Sequence, residues 1–382
     1  EAPRQRPLTI PAARSMTEIR AGLPVSKSLG HTWGMMSKVF VWRARAMISS
    51  LVVTGVVWGA SVEAGEVLFT SDEIFDLTVR VPLSKLMRQA KDASGVNGNL
   101  ELDDGTSIPM TCSKYGISRL RECDLASLEF TVEASDVLGT PFEGLQTLRL
   151  VTPCRLRGDY DKYTVLEYLV YRSYALIAEP ALGVQLVRVR FHDSEKPGRE
   201  RVGYAFFIED IGQAAARGGQ AWLDIESQRI DDLDAAHLTV MTLFQFMVGN
   251  TDWSALRGRP DDRCCHNVAV FGHEGVGLNT VVPFDFDQTG LVNPPYAAPP
   301  DASLGIRRVT DRKYRGLCEH NSELPAAIAV FNHKRSALEA LLGRDELPYP
   351  KARERALEYV GEFYDTINDP RKLENRVIRD CR

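Results

Sequence analysis

Alternating apolar and polar positions dominate residues 66–151 and predict strands. Leu77, Val79 and Val81 alternate in "IFDLTVRVP". "LELDD" and "GTSIPMTC" read as a hairpin turning at Asp104-Gly105, a pair suited to a tight turn. "LASLEFTVE" is a further strand, and "QTLRLVTPC" places Leu148 and Leu150 on one face, Arg149 and Val151 on the other. The period then changes. Tyr163, Leu166, Val170, Tyr174 and Ile177 follow helical spacing, with Glu167 beside the stripe. Strands are expected again at 184–191 and 202–210.

After Asp210 helical spacing prevails. Leu233, Ala236, Val240, Leu243, Phe244 and Met247 mark a helix that stops at Gly249-Asn250. Two short apolar runs, "NVAVF" and "TVVPF", read as strands. "DFDQTGLVNPPYAAPP" must run extended because of its prolines. Residues 323–343 and 352–367 both carry helical spacing. The pattern predicts a β-rich half with one main helix, residues 65–210, and a mostly α-helical half, residues 211–382, with a hinge near Glu209–Gly212.

Residues 1–64 read differently. From Met36, the basic residues Lys38, Arg43 and Arg45 precede a 14-residue apolar run, Met47–Ala60. "VEA" at 62–64 follows, with small residues where a signal peptidase requires them. The pattern predicts a signal peptide cleaved after residue 64, a secreted or periplasmic mature chain without a membrane span, and an upstream extension before Met36. Fourteen residues are short for a bilayer span. Residues 1–64 hold 8 Lys/Arg and 3 Asp/Glu, leaving 38 basic and 48 acidic residues in the rest. That acidic body argues against nucleic acid as a partner. All seven cysteines lie beyond residue 64, an odd number that leaves at least one unpaired within the chain. Cys112 and Cys123 either pair or stay as buried thiols. "CCHN" is a poor zinc motif, because adjacent residues rarely converge on one tetrahedral ion.

The chemistry lies in order and spacing. A helix ends in "GNTDWS", with Asp252; a strand opens with Asn267; the next ends in "PFDFD", with Asp285 and Asp287. Phosphoryl transfer needs a carboxylate near the incoming hydroxyl, and oxygen ligands that hold Mg²⁺ between phosphates. In that layout Asp252 is the base, and Asn267 with Asp285 or Asp287 holds the metal. Arg149 and Glu167 have the order expected of a cation on a strand and a glutamate on the following helix. Gly116 and Ser118 in "SKYGISR" are weak candidates for a loop over the phosphates, and Glu209 in "FFIED" lies in the expected adenine-binding linker. Arg149 stands where a lysine is usual, and Asp252 and Asn267 are 15 residues apart, longer than a short catalytic loop. The segment between them is either a lid or a surface insertion.

"GNTDW", "HN" and "PFDFDQTG" together resemble the secreted, atypical kinase-like proteins of the spore-coat CotH type. Their layout is also similar to HipA-type and phosphoinositide-kinase-type sites. The chain resembles as well a bacterial group, with no assigned activity, that shares "LVTxC", "EYLxYR", "GNTDWS", "HN", "DFD" and "YRGxC". These stand here at 150–154, 167–172, 249–254, 266–267, 285–287 and 314–318. The resemblance implies an α+β, bilobal protein-kinase-like fold that binds ATP and Mg²⁺ and phosphorylates a protein or small-molecule acceptor. An exported compartment holds little ATP, so a pseudoenzyme, or a secreted ligand-binding or structural protein, is the alternative. A metal-dependent hydrolase is a third reading; neither GxSxG nor HExxH occurs. Each residue also has a plain role: Asp252 as a turn residue, Asn267 as a strand cap, Asp285 and Asp287 as a solvated strand end, Glu167 as a surface helix residue.

Overall fold

The computed structural model describes residues 66–382 apart from 91–93, 117–118, 197, 199, 260–262 and 274. The expected signal peptide and Ser118 lie outside the described residues.

Seven strands form one closed sheet: β1 (Phe75–Val81), β2 (Val96–Leu102), β3 (Ser107–Tyr115), β4 (Ser127–Val132), β5 (Thr147–Val151), β6 (Val184–Asp193) and β7 (Glu200–Ile208). Their order around the barrel is β1-β2-β3-β4-β5-β7-β6. Every neighbouring pair is antiparallel except the one that closes the ring. There β1 runs parallel to β6 in continuous register, from Phe75 opposite Val187 to Val81 opposite Asp193. Alternation explains the interior. Leu77, Val79 and Val81 point inward with Leu100, Ile108, Met110, Phe130, Val189 and Phe207, and all are buried. The hairpin turn falls where Asp104-Gly105 predicts it, with Gly105 at φ 88°.

The helices among the described residues are α1 (Glu66–Thr70), α2 (Leu83–Arg88), α3 (Arg119–Glu122), α4 (Asp161–Ile177), α5 (Ile211–Arg217), α6 (Ala235–Val248), α7 (Leu324–Gly343), α8 (Pro350–Ile367) and α9 (Pro370–Leu373). A second sheet contains β8 (Ala221–Trp222), β9 (Val268–His273) and β10 (Val276–Pro283), ordered β10-β9-β8. α4 lies on the outer wall of the barrel, where Leu186 and Phe206 leave the interior and join its apolar side. The same core continues through Phe244 of α6, Phe286, Phe331 of α7 and Phe363 of α8. Burying one such phenylalanine stabilises the fold by roughly 2–3 kcal/mol.

The bilobal protein-kinase-like fold is overturned by this topology. Its β-rich lobe would be an open sheet, whereas parallel pairing of β1 with β6 closes this one into a mixed barrel. The region after residue 210 is not helical alone, since it holds the three-stranded sheet. All described residues fall in one compact unit.

Three disulfides fasten the surface: Cys123 with Cys154, Cys318 with Cys381, and the neighbours Cys264 and Cys265. Cys123 therefore does not pair with Cys112, whose thiol is buried in the barrel with its pKa pushed up by that burial.

Candidate functional site

α6 delivers the first residue. Asp234 caps its start by accepting the His237 N–H at 2.9 Å. Gly249 ends it in the left-handed conformation, φ 67°, and its N–H returns to the last turn. A side chain there would also collide with the Tyr359 hydroxyl. Asn250 then accepts the Asp252 N–H on Oδ1 at 3.0 Å, and its carbonyl accepts the Trp253 indole N–H at 3.2 Å. These two bonds bury Trp253 and leave Asp252 exposed. The indole packs into the core, with the guanidiniums of Arg315 and Arg382 over its ring.

Asp252 is bound on both oxygens. Arg259 Nη2 donates to them at 3.0 and 2.8 Å, and His266 Nε2 lies 2.9 Å from Oδ1. Partial burial raises its pKa, but the His266 hydrogen bond and the charges of His266 and Arg259 outweigh that and hold it below the usual range. Asn267, at φ 52°, donates Nδ2 to the Asp252 carbonyl at 2.7 Å. Ser254 and His266 exchange two backbone hydrogen bonds, which set Asp252 and His266 side by side.

β10 delivers the second group. Phe284 N–H bonds the Asn267 carbonyl at 3.1 Å, which sets the two strand ends side by side. Asp285 then turns left-handed, φ 61°, and its N–H bonds the Tyr171 hydroxyl at 2.8 Å. Phe286 enters the core against Tyr171 and Phe244. This anchor directs Asp287 inward, 3 % exposed, where Oδ2 lies 3.3 Å from Arg119 Nε. Arg119 also bonds Glu167 of α4, and donates to the Thr152 carbonyl at 2.7 Å. Both Arg119 and Glu167 are buried.

Arg119 thus contacts Glu167 and Asp287, and Asp285 lies within reach of its charge. Burial, then the neighbouring carboxylates, push Asp285 up to about 7. Burial raises Glu167 to about 8 despite Arg119, with Asp287 and Asp285 adding to the rise. Asp287 is raised by burial too, against the pull of Arg119. Asp252 contributes to the rise at both Asp285 and Asp287, so exposed and buried acids share one field. Tyr296, from the proline-rich stretch, adds a hydroxyl within reach of the same charges.

The expected Arg149–Glu167 pair is absent. Arg149 bonds Glu129 at 3.0 Å and Asp210 at 2.5 Å, and its guanidinium lies over the Tyr115 ring. Its position on β5 turns it away from α4, toward its strand neighbour Glu129. Glu167 has its cation, but from α3, a four-residue helix with no periodicity to announce it. Gly116, at φ 97°, ends β3 just ahead of that helix. The Cys123–Cys154 bond then ties its far end to the stretch after β5. Glu209 bonds within the fold: its N–H donates to the Gly183 carbonyl, and its carboxylate holds Gly183 N–H and Arg217. Sequence reasoning missed Arg119, Arg259 and His266; only His266, beside Asn267 in "HN", carried a signal.

Among the described residues no three His, Cys, Asp or Glu side chains are gathered as a metal-binding group. No protein-family model matches this chain, and no curated protein matches it.

Proposed function

We propose that the chain is an exported phosphotransferase that uses ATP and Mg²⁺ to phosphorylate a hydroxyl acceptor, on a barrel-based scaffold. The observation that carries this reading is the exposed, oriented Asp252 sharing its field with half-buried Asp285, buried Glu167 and Asp287, and one buried guanidinium. Removing several carboxylates from water against a single arginine is costly, and a divalent cation is one remedy.

The residues fit such an ion. Asp287 Oδ2 is buried beside Arg119 Nε at 3.3 Å, an ion pair without a well-formed hydrogen bond. Asn267 spends its amide N–H on the Asp252 carbonyl, which leaves its oxygen available. Mg²⁺ is commonly held by one or two carboxylates plus waters and phosphate oxygens, so a cluster of three protein acids is not required. Asp285, Asp287 and Asn267 would hold it, and when bound it would neutralise charge on the phosphates. Arg119 keeps Glu167 and Asp287 in place. Asp252 receives the acceptor's hydroxyl; its low basicity suits a loose transition state, where the proton leaves late. Arg259 and His266 fix which way its oxygens face.

One observation favours the alternative, a non-catalytic binding protein: the Asp252 carboxylate is already spanned by Arg259 and His266. Calorimetry with Mg-ATP, paired with a γ-phosphate transfer assay, separates the two. Asp285→Ala is expected to lose metal-dependent nucleotide binding. Asp252→Ala is expected to keep binding and lose transfer, because a base acts on the acceptor and need not hold the nucleotide. A parent chain that binds no Mg-ATP refutes phosphotransfer.

A further inference from the structure

We propose that Arg315, Arg382 and Trp253 form a phosphate-binding subsite beside Asp252, and that the acceptor is therefore itself a phosphorylated molecule. The second half of this rests on the phosphotransfer reading; the subsite itself does not.

The two guanidiniums address one indole. Arg315 Cζ lies 5.3 Å and Arg382 Cζ 5.8 Å from the Trp253 ring centroid. Cation–π attraction favours each contact singly, but two like charges at one ring repel. No ion pair compensates them among the described residues: Arg315 Nη1 donates only to the carbonyls of Thr251 and Trp253, the latter at 2.8 Å. Arg315 Nε is buried without a hydrogen-bond partner. Burial and the charge of Arg382 depress its pKa to about 10, with Asp252 and Asp301 opposing from farther off. Arg259 and His266 are spent on Asp252.

The backbone that carries both residues is held in place. Arg382 exchanges backbone hydrogen bonds with Gly316 and Cys318, and the Cys318–Cys381 bond fastens the same two segments. The carbonyls that Arg315 binds bracket Asp252 in the chain, so an anion held here sits against the turn that presents the carboxylate. Two guanidiniums carried on tied backbone match a phosphate monoester, with close to two negative charges and three acceptor oxygens, better than a singly charged carboxylate. An acceptor so held would bring its hydroxyl to Asp252 while its own phosphate rests on Arg315 and Arg382.

The test is calorimetric titration of the full chain with inorganic phosphate, and separately with acetate, in EDTA. Phosphate is expected to bind and acetate to bind more weakly. Arg382→Gln is expected to weaken phosphate about tenfold, the scale of one hydrogen bond to a charged group. That variant leaves the backbone bonds and the disulfide intact, so it separates recognition from folding; Arg315→Gln removes the carbonyl contacts as well. Failure of the parent to bind phosphate, equal binding by Arg382→Gln, or equal affinity for acetate overturns the subsite. A parent that binds no Mg-ATP, yet binds phosphate in an Arg382-dependent manner, keeps the subsite and removes the phosphotransfer reading.

Discussion

Replacing Asp285 by Asn should make this protein more stable, and only above acidic pH. The substitution is conservative locally. Asn accepts the left-handed φ of 61° as readily as Asp, and the backbone N–H keeps its bond to Tyr171. It removes one of three acids within reach of the Arg119 charge. Folding raises the Asp285 pKa from 3.8 to about 7. Above about pH 4 the unfolded chain releases this proton while the folded chain retains it. Stability therefore falls as pH rises through that window and levels off near pH 7. Three units correspond to about 4 kcal/mol. Asp285 is only half-buried, and water screens part of the penalty, so about 2 kcal/mol is expected. Urea unfolding in EDTA reads the effect directly. At pH 4 parent and variant should differ little; at pH 8 the variant should be about 2 kcal/mol more stable. Equal stability at both values, or a less stable variant at pH 8, would refute the claim that the carboxylate lacks compensation. Added Mg²⁺ at pH 8 should narrow the gap by stabilising the parent alone.

Arg119→Met should cost about 3–5 kcal/mol at pH 8, because it strands buried Glu167 and Asp287, and less at pH 4, well below the Glu167 pKa of about 8; urea titrations check it. Cys318→Ser should lower stability by about 2–4 kcal/mol, through the lost closure of a long loop, and should weaken phosphate binding by loosening Arg382. N-terminal sequencing of exported material should read "GEVLF", beginning at Gly65; a start before Met36 would remove the signal-peptide reading.

Local signals carried much of the architecture. The stripe from Tyr163 to Ile177 became α4, Asp104-Gly105 became the hairpin turn, and "NVAVF" and "TVVPF" became β9 and β10 within a residue or a few. The alternation at Leu77, Val79 and Val81 announced a strand but not its neighbour. Nothing in "FDLTVRV" points to "VQLVRVRFHD", and that pairing turns an open sheet into a barrel. The site divided the same way. Asp252, Asn267, Asp285 and Asp287 stand at ends of predicted elements, where turn geometry exposes them to reasoning. Arg119 sits on a single helical turn between two strands, so its approach to Glu167 depends on how the barrel and α4 meet. Arg149 has the order expected of a cation on a strand ahead of a glutamate on the next helix, but order does not fix which acid it meets, and Glu129 and Asp210 bind it instead.

The parallel seam between β1 and β6 has a consequence in time. Phe75 cannot find Val187 until the whole of β2 to β5 and α4 has been made. Until then β1 presents a row of unpaired backbone groups, a template for pairing with another chain. Ring closure must also overcome the entropy of a long intervening loop, which slows folds dominated by distant contacts. An emerging chain therefore passes through an aggregation-prone interval with the sheet from β1 to β5 still open, because β6 and β7 come last. Covering that first strand is a task that falls to whatever accompanies the chain until residue 193 arrives.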